Sequence, residues 1–447
     1  MKKHLWIASV AILVISCKPK SNDYKTVFND PILYCKTVKM LNDVVMENNF
    51  PPIIASRNYT YANIAAYECI AANDSDYNSL AGQLRGLSNI PKPPANTTID
   101  FHLAALFAFT KVGNAVTFPE GSMMGYYDYL KRIADSTGMS ASILDNTIAF
   151  SDSVVAAVMK WSSKDKYAQT RSAERYTVTD EDGRWVPTPP AYAQALEPHW
   201  NEIRPMVLDS VNEFMPPAPP PYNVKDKQSK YYQEVISIKN AIDSLTPEQK
   251  HIAEFWDDLS TKLNVSGHVM FMTKKFSPTG HWQNIVGIAA EKARADFDKT
   301  VYAYAKTSIA MFDAFIECWN VKYKYNTVRP ETVINKYFDE NWRPFLQTPP
   351  FPEYTCGHTT VSAAAAEALT SIFGDHLEYT DTSELEFGIK NRSFTSFRQA
   401  ADENIWARFY GGIHFHNSCI ISNKEGKMLG DFVNGKLKMK KNESKID

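Results

Sequence analysis

Net charge is almost absent from this sequence: 48 lysines and arginines stand against 50 aspartates and glutamates, leaving −2 at neutral pH. Such a balance excludes a polybasic surface for nucleic acid or membrane as a global property, so any electrostatic function must be local. Long apolar runs are also missing beyond the first residues. Asp145 and Asp152 interrupt the segment around Ile148, and Glu367 interrupts the one around Ala364, so no later run reaches spanning length uninterrupted. Cysteine is scarce. After Cys17 there are Cys35, Cys69, Cys318, Cys356 and Cys419, an odd number that leaves at least one thiol free. Cys35 with Cys69 is the staple to expect, and the pairing of the others stays open. Convincing strand ladders are lacking too, which makes the fold class all-α.

What the chain does contain is helical periodicity. Its 447 residues, 44% apolar and 13% aromatic, can bury a large core and leave room for two structural units. Apolar spacing predicts helices over 57–72, 101–116 and 140–161, with Ser140 as an N-cap. Prolines then crowd the sequence at Pro187, Pro189 and Pro190 and again from Pro216 to Pro221. These favour extended backbone, while Trp185, Tyr192, Leu196 and Trp200 give the passage something to bury. Helices resume over 224–242. The run Thr246-Pro247-Glu248-Gln249 then reads as a capping box with proline in the first turn. Further helices are expected over 285–300, 301–319, 358–373 (rich in alanine from Ala363 to Ala366) and 422–439. The division that follows is an N-terminal bundle over 31–180, a proline-rich ordered connector over 181–224, a C-terminal bundle over 225–438, and a basic tail over 439–447. Ile64-Ala65-Ala66-Tyr67-Glu68 echoes Ile309-Ala310-Met311-Phe312-Asp313, as two related bundles would, or as two apolar helix stripes do by chance.

The N-terminus reads as an address. Lys2 and Lys3 precede an apolar run from Leu5 to Ile15, and Leu13-Val14-Ile15-Ser16-Cys17 resembles a bacterial lipoprotein signal. That resemblance implies a signal peptide over 1–16, lipid on Cys17 and a tether over 17–30. An ordinary secretory signal with a chance cysteine is the alternative. Either way the protein is expected to be exported, with the lipid as its sole membrane attachment in the cell envelope and no nucleic-acid partner.

Three short motifs carry the chemistry: Lys322-x6-Arg329-Pro330, then Pro352-Glu353-Tyr354-Thr355-Cys356-Gly357-His358, then Arg408-x5-His414. Permanent cations, a glycine beside a histidine and a second histidine suit a tetrahedral, multiply charged oxyanion. Lys322 and Arg329 are two helical turns apart, and Pro330 disfavours helix at Arg329. Gly357 lets backbone N–H groups approach an anion at a helix start. Gly411-Gly412 breaks the helix after Arg408, so His414 can fold back beside it. Taken singly, each of these residues reads more simply as a structural one.

Together the motifs resemble the superfamily shared by vanadium-dependent haloperoxidases and type 2 phosphatidic acid phosphatases. Its pattern is Lys-x6-Arg-Pro, Pro-Ser-Gly-His and Ser-Arg-x5-His-x3-Asp, and the resemblance spans roughly residues 300 to 430. Phe255-Trp256, Gly280-His281-Trp282 and Trp319 extend it toward the soluble bacterial haloperoxidase-type members. It implies two packed helical bundles. Lys322, Arg329, Arg408, Cys356 and Gly357 would hold the oxyanion, and His358 would be the acid–base residue. His414 would be the ligand to vanadate or, in a phosphatase, the nucleophile. The implied cofactor is vanadate, with phosphate able to occupy the same site. The implied substrates are hydrogen peroxide and halide, or a phosphate ester.

Three positions depart from that pattern. Cys356 replaces a serine, Ala407 replaces the serine before the arginine, and Ser418 stands where an aspartate would orient the histidine. Asn417 or Ser418 is then the expected partner of the His414 ring. A cysteine phosphatase is excluded, because Ser362 stands where an arginine would have to clamp phosphate. The readings are therefore a vanadate-dependent haloperoxidase first, an acid-phosphatase-like hydrolase second, and a non-catalytic oxyanion-binding lipoprotein third.

Overall fold

The computed structural model describes residues 23–441, apart from 180, 260, 261 and 267. The signal peptide, Cys17 and the end of the basic tail lie outside the described residues. At the centre is a 29-residue helix, Phe297–Tyr325, capped by Asp296 and buried on nearly every side from Thr300 to Lys322. A helix apolar all round belongs in the interior, but this one also buries Asp313 and Glu317. Backbone N–H groups meet both oxygens of Asp313 and one oxygen of Glu317. Asp313 accepts from the N–H groups of Met206, Val207 and Leu208 at 2.6, 2.7 and 3.0 Å, and Glu317 accepts from Phe214 N at 2.7 Å. Trp319 Nε1 donates to Leu196 O at 3.1 Å. The proline-rich stretch is thereby stitched to the central helix, with Trp185 and Trp200 fully buried.

The sequence echo has a physical counterpart. Glu68, on the helix Pro52–Ala71, accepts from Leu80 N at 2.6 Å and from Ser79 Oγ at 2.7 Å, as Asp313 does from its own loop. Each helix thus carries, within its apolar run, a buried acid that accepts from the backbone of a loop. Around Pro52–Ala71 pack Phe101–Val116 and Ala141–Ser162. The latter is long and apolar enough to span a membrane, yet Phe150, Val154, Val158 and Trp161 turn inward. Against the central helix pack Gly357–Phe373 and His416–Lys436, and Phe397–Tyr410 packs on those two. One apolar core runs through both groups, from Tyr24 to Met439.

Several expected boundaries shift, each for a local reason. The helix expected from 224 starts at Lys230, because Ser229 accepts from Tyr232 N and fixes the cap there. The pattern over 285–319 is two helices: Pro278–Lys292 ends before Asp296 caps the next. The last helix runs His416–Lys436 rather than 422–439. The segment expected as tether is already helical from Asp23 to Phe28 and buries Tyr24 and Phe28, while Met439, assigned to the tail, is buried. Two short antiparallel pairs, Lys262–Ser266 with Val269–Thr273 and Tyr379–Asp381 with Arg392–Phe394, are too small to form a layer. The Cys35–Cys69 staple is absent and all five described cysteines are free. Cys35 faces Gly287 and Tyr304 across a helix interface instead.

The alanine-rich helix Gly357–Phe373 and the helix His416–Lys436 meet almost backbone to backbone. A Cβ on Gly426 would overlap the Thr360 carbonyl and lie 2.8 Å from Ala363 Cβ, and one on Gly430 would lie 2.7 Å from Glu367 Cβ. Gly426→Ala should therefore destabilise the protein by about 1–3 kcal/mol through overpacking, although alanine favours helix by about 1 kcal/mol. Thermal unfolding checks this, and an unchanged or raised melting temperature would contradict the close packing.

Candidate active site

The three motifs converge because three chain reversals point them inward. The central helix stops at Tyr325, where Asn326 takes the left-handed conformation (φ +50°) that asparagine tolerates. Arg329 is consequently not at a helix exit, as its spacing suggested, but at the N-cap of the next helix, Pro330–Tyr337. Helix Phe397–Tyr410 carries Arg408 and ends at Gly411; Gly412 takes φ +77° with Pro344 Cα 3.0 Å from where its Cβ would be. That turn returns His414 to the cluster. Gly357 opens the alanine-rich helix, and a Cβ there would stand 3.3 Å from the Trp319 ring. Being the first helical residue, it has no partner for its N–H within the helix.

His414 is the best-determined member. Its Nδ1 lies 2.9 Å from Glu353 Oε1 and its Nε2 lies 3.0 Å from Arg329 Nη1. A guanidinium only donates, so Nε2 must carry the lone pair and Nδ1–H must donate to Glu353. The same carboxylate oxygen accepts from Phe415 N at 3.2 Å, which fixes the ring to its own backbone. The orienting carboxylate is therefore Glu353 and not the Asn417 or Ser418 expected from position. Ser418 Oγ has no hydrogen-bond partner and lines a separate cavity of about 320 Å³ on the far side of Glu353.

The cations differ in how much they leave free. Lys322 Nζ donates to the carbonyls of Pro352 at 2.8 Å, Glu353 at 3.1 Å and Thr355, so all three of its protons hold the motif loop. Arg329 spends Nε on Phe351 O and Nη1 on Ile413 O, at 2.8 and 2.7 Å, and keeps Nη2 unpartnered. Arg408 gives Nη1 to the carbonyls of Trp256 and Asp257 at 2.8 and 3.2 Å, while its Nε and Nη2 are buried and unpartnered. His358 leans on the Asp257 backbone and leaves Nε2 without a partner. Three cations against the Glu353 carboxylate and the Cys356 thiol leave surplus positive charge in a dry site. Orphaned donors of this kind each cost about 1–3 kcal/mol unless something accepts from them.

The electrostatics follow from burial. Removal from water pulls Lys322 down to about 8 and Arg329 down to about 10. Burial and then the Arg408 guanidinium hold His358 well below the usual imidazole range, so it is neutral at pH 7. Burial alone would push the Cys356 thiol up. The adjacent Cys419 thiol, His414 and His358 outweigh it and hold Cys356 well below the ordinary thiol range. A cavity of about 70 Å³ reaches the cluster, lined by His358, Arg408, Asp257, Phe351 and Ile413.

Every site residue proposed from sequence and lying within 23–441 thus belongs to one cluster, linked through Arg329, His414 and Cys356. Sequence reasoning missed Glu353 and the carbonyls of Trp256 and Asp257. Glu353 lay inside a quoted motif; its partner is distant along the chain.

Comparison with known proteins agrees with this arrangement. Residues 302–443 match the family model of the VCPO second helical-bundle domain. The structure superposes on that of a bacterial vanadium-dependent iodoperoxidase with a TM-score of 0.87 and 42% identity, covering 92% of this chain and 97% of that one. It is similar in fold to the apo and holo forms of bacterial vanadium-dependent chloroperoxidase, at TM-scores of 0.65 and 0.64 and 16% identity to each. Those alignments cover 85% and 94% of this chain and 93% and 98% of theirs. No curated protein matches by sequence. With near-complete coverage at that identity, and the cationic cluster in place, the chain belongs to the vanadium-dependent haloperoxidase superfamily.

Proposed function

We propose that this protein is a vanadate-dependent haloperoxidase that oxidises halide with hydrogen peroxide, and that iodide is its preferred halide. The observation that carries the reading is the His414 ring, whose Nε2 lone pair faces the cluster with its tautomer fixed by Glu353. A metal-bound imidazole needs one unprotonated nitrogen and the other donating to a carboxylate; here Nε2 is unprotonated and accepts from Arg329 Nη1, which would have to give way to the ligand. The surroundings fit an oxyanion as well. Arg329 Nη2 and Arg408 Nε and Nη2 are buried donors with nothing to donate to. Vanadate held there supplies a Lewis-acid centre for peroxide.

The remaining work falls to the chain. Arg329 and Arg408 hold the anion's oxygens as planar donors. Lys322 contributes charge and fixes the loop from Pro352 to Thr355. Neutral His358, with Nε2 unpartnered, is placed to take the proton that hydrogen peroxide loses. Phe351, Pro349 and Pro350 line the approach and keep it dry. The choice of iodide rests on the 42% identical relative, which is an iodoperoxidase.

A phosphomonoesterase with His414 as nucleophile is the second reading, and one observation favours it. Glu353 supplies the carboxylate whose absence at Ser418 counted against that chemistry. We also propose that the protein is exported and anchored through lipid on Cys17, a reading supported by the signal-like sequence alone. Loss of the protein from the membrane fraction in Cys17→Ala is the expected result; retention would contradict the anchor.

Iodide oxidation by purified protein should rise on addition of vanadate and require peroxide. Vanadate inhibition of phosphate-ester turnover, with no iodide oxidation, would instead establish the phosphatase. Glu353→Gln should weaken vanadate binding about 10- to 100-fold, as loss of an orienting carboxylate does, without lowering the melting temperature in proportion. Equal vanadate affinity in the variant would show that His414 needs no such partner. Sulfate affinity should fall as pH rises from 7 to 9. Lys322 loses its proton near 8, and buried Glu425, pushed up to about 8, gains a negative charge over the same range. Sulfate does not titrate there, so a flat profile by calorimetry would place Lys322 outside the field of the anion.

A further inference from the structure

A second buried cluster lies behind the oxyanion cavity, where Trp256 stacks on the His281 ring with centroids 4.7 Å apart. His281 Nδ1 lies 2.9 Å from Asp258 Oδ1 and 3.9 Å from Glu384 Oε1, and Nε2 lies 2.9 Å from Asp381 Oδ2. His281, Asp381 and Glu384 have no exposure and Asp258 only 2%. The second oxygens of Asp381 and Glu384 are held. Asp381 Oδ1 accepts from Ser383 N at 2.9 Å, and Glu384 Oε2 accepts from Lys275 Nζ at 3.1 Å. Glu384 Oε1, aimed at the Asp258–His281 pair, has no hydrogen-bond partner.

Charge does not balance in this cluster either. Three carboxylates face Lys275 and one imidazole, so with all three ionised even a doubly protonated His281 leaves a negative charge in the dry interior, and burial accordingly pushes Glu384 up to about 7. Burying an uncompensated charge is expensive. A dication in place of the ring proton would bring the sum to zero.

We propose that Asp258 Oδ1, His281 Nδ1 and Glu384 Oε1 bind a divalent cation, zinc by the donor set, with Asp381 orienting the histidine. These three ligand atoms lie within 4.8 Å of one another. One imidazole nitrogen and two carboxylate oxygens, with a fourth position left for water, is a normal zinc environment. His281 Nε2–H donating to Asp381 is the carboxylate–histidine–metal arrangement that fixes the tautomer and raises ligand basicity. Binding displaces the proton from Nδ1, and no other bond changes. Lys275 keeps Glu384 monodentate by holding its second oxygen. Asp258 also borders the oxyanion cavity, and the carbonyls of Trp256 and Asp257 hold Arg408. The cation would pin the segment that positions that arginine. It is a site separate from His414 and does not depend on the haloperoxidase reading.

The test is metal analysis of the full chain expressed with zinc and desalted without chelator, beside the Glu384→Gln variant. The wild type should retain stoichiometric zinc, and added zinc should raise its melting temperature. Glu384→Gln, which keeps the shape and the oxygen facing Lys275, should bind zinc at least tenfold more weakly and lose that shift. Equal zinc content in both proteins, or no zinc and no shift in the wild type, would overturn the proposal. If the variant fails to fold, cobalt titration of the wild type decides: visible absorption from protein-bound cobalt supports the site, and its absence removes it.

Discussion

The hydrogen bond from His414 Nδ1 to Glu353 is the interaction on which the rest of the site depends. It leaves Nε2 as the only nitrogen that can face the cations, and it holds the ring in the single orientation in which Arg329 reaches that lone pair at 3.0 Å. The carboxylate comes from a loop that Lys322 secures through three carbonyls, so the histidine is held indirectly by the lysine 92 positions earlier in the chain. Position and tautomer therefore have one common origin.

The same arrangement explains why so much of the molecule is organised around one helix. Burying three cations is unfavourable unless their donors are met. Backbone carbonyls from Phe351, Ile413, Trp256 and Asp257 meet some of them, and to be in place they need the turns at Asn326 and Gly412 and the connector pinned by Asp313 and Glu317. The donors left over are those that an oxyanion would satisfy.

Much of this was legible in the sequence. Helix signals that act locally held closely: Ser140 caps its helix, Thr246 and Gln249 form the capping box, and the helix Phe101–Val116 has the expected bounds. The motif residues converge as their types suggested. What could not be read were effects that act across distance. Asn326 ends a helix that proline at 330 seemed to end, because a left-handed cap leaves no periodic signal. Position alone points to an orienting group four residues after His414, whereas Glu353 lies 61 positions away and comes close only through folding. Cys419, whose pairing the sequence left open, touches Cys356, and both thiols are free.

The most direct measurement is the nitrogen-15 NMR spectrum of His414 in vanadate-free protein with labelled histidine, assigned by comparison with His414→Ala. A protonated Nδ1 beside an unprotonated, hydrogen-bond-accepting Nε2 is the predicted pattern. A ring protonated at Nε2 alone would contradict the account, because its lone pair would then face Glu353 and no nitrogen would be left to receive the metal.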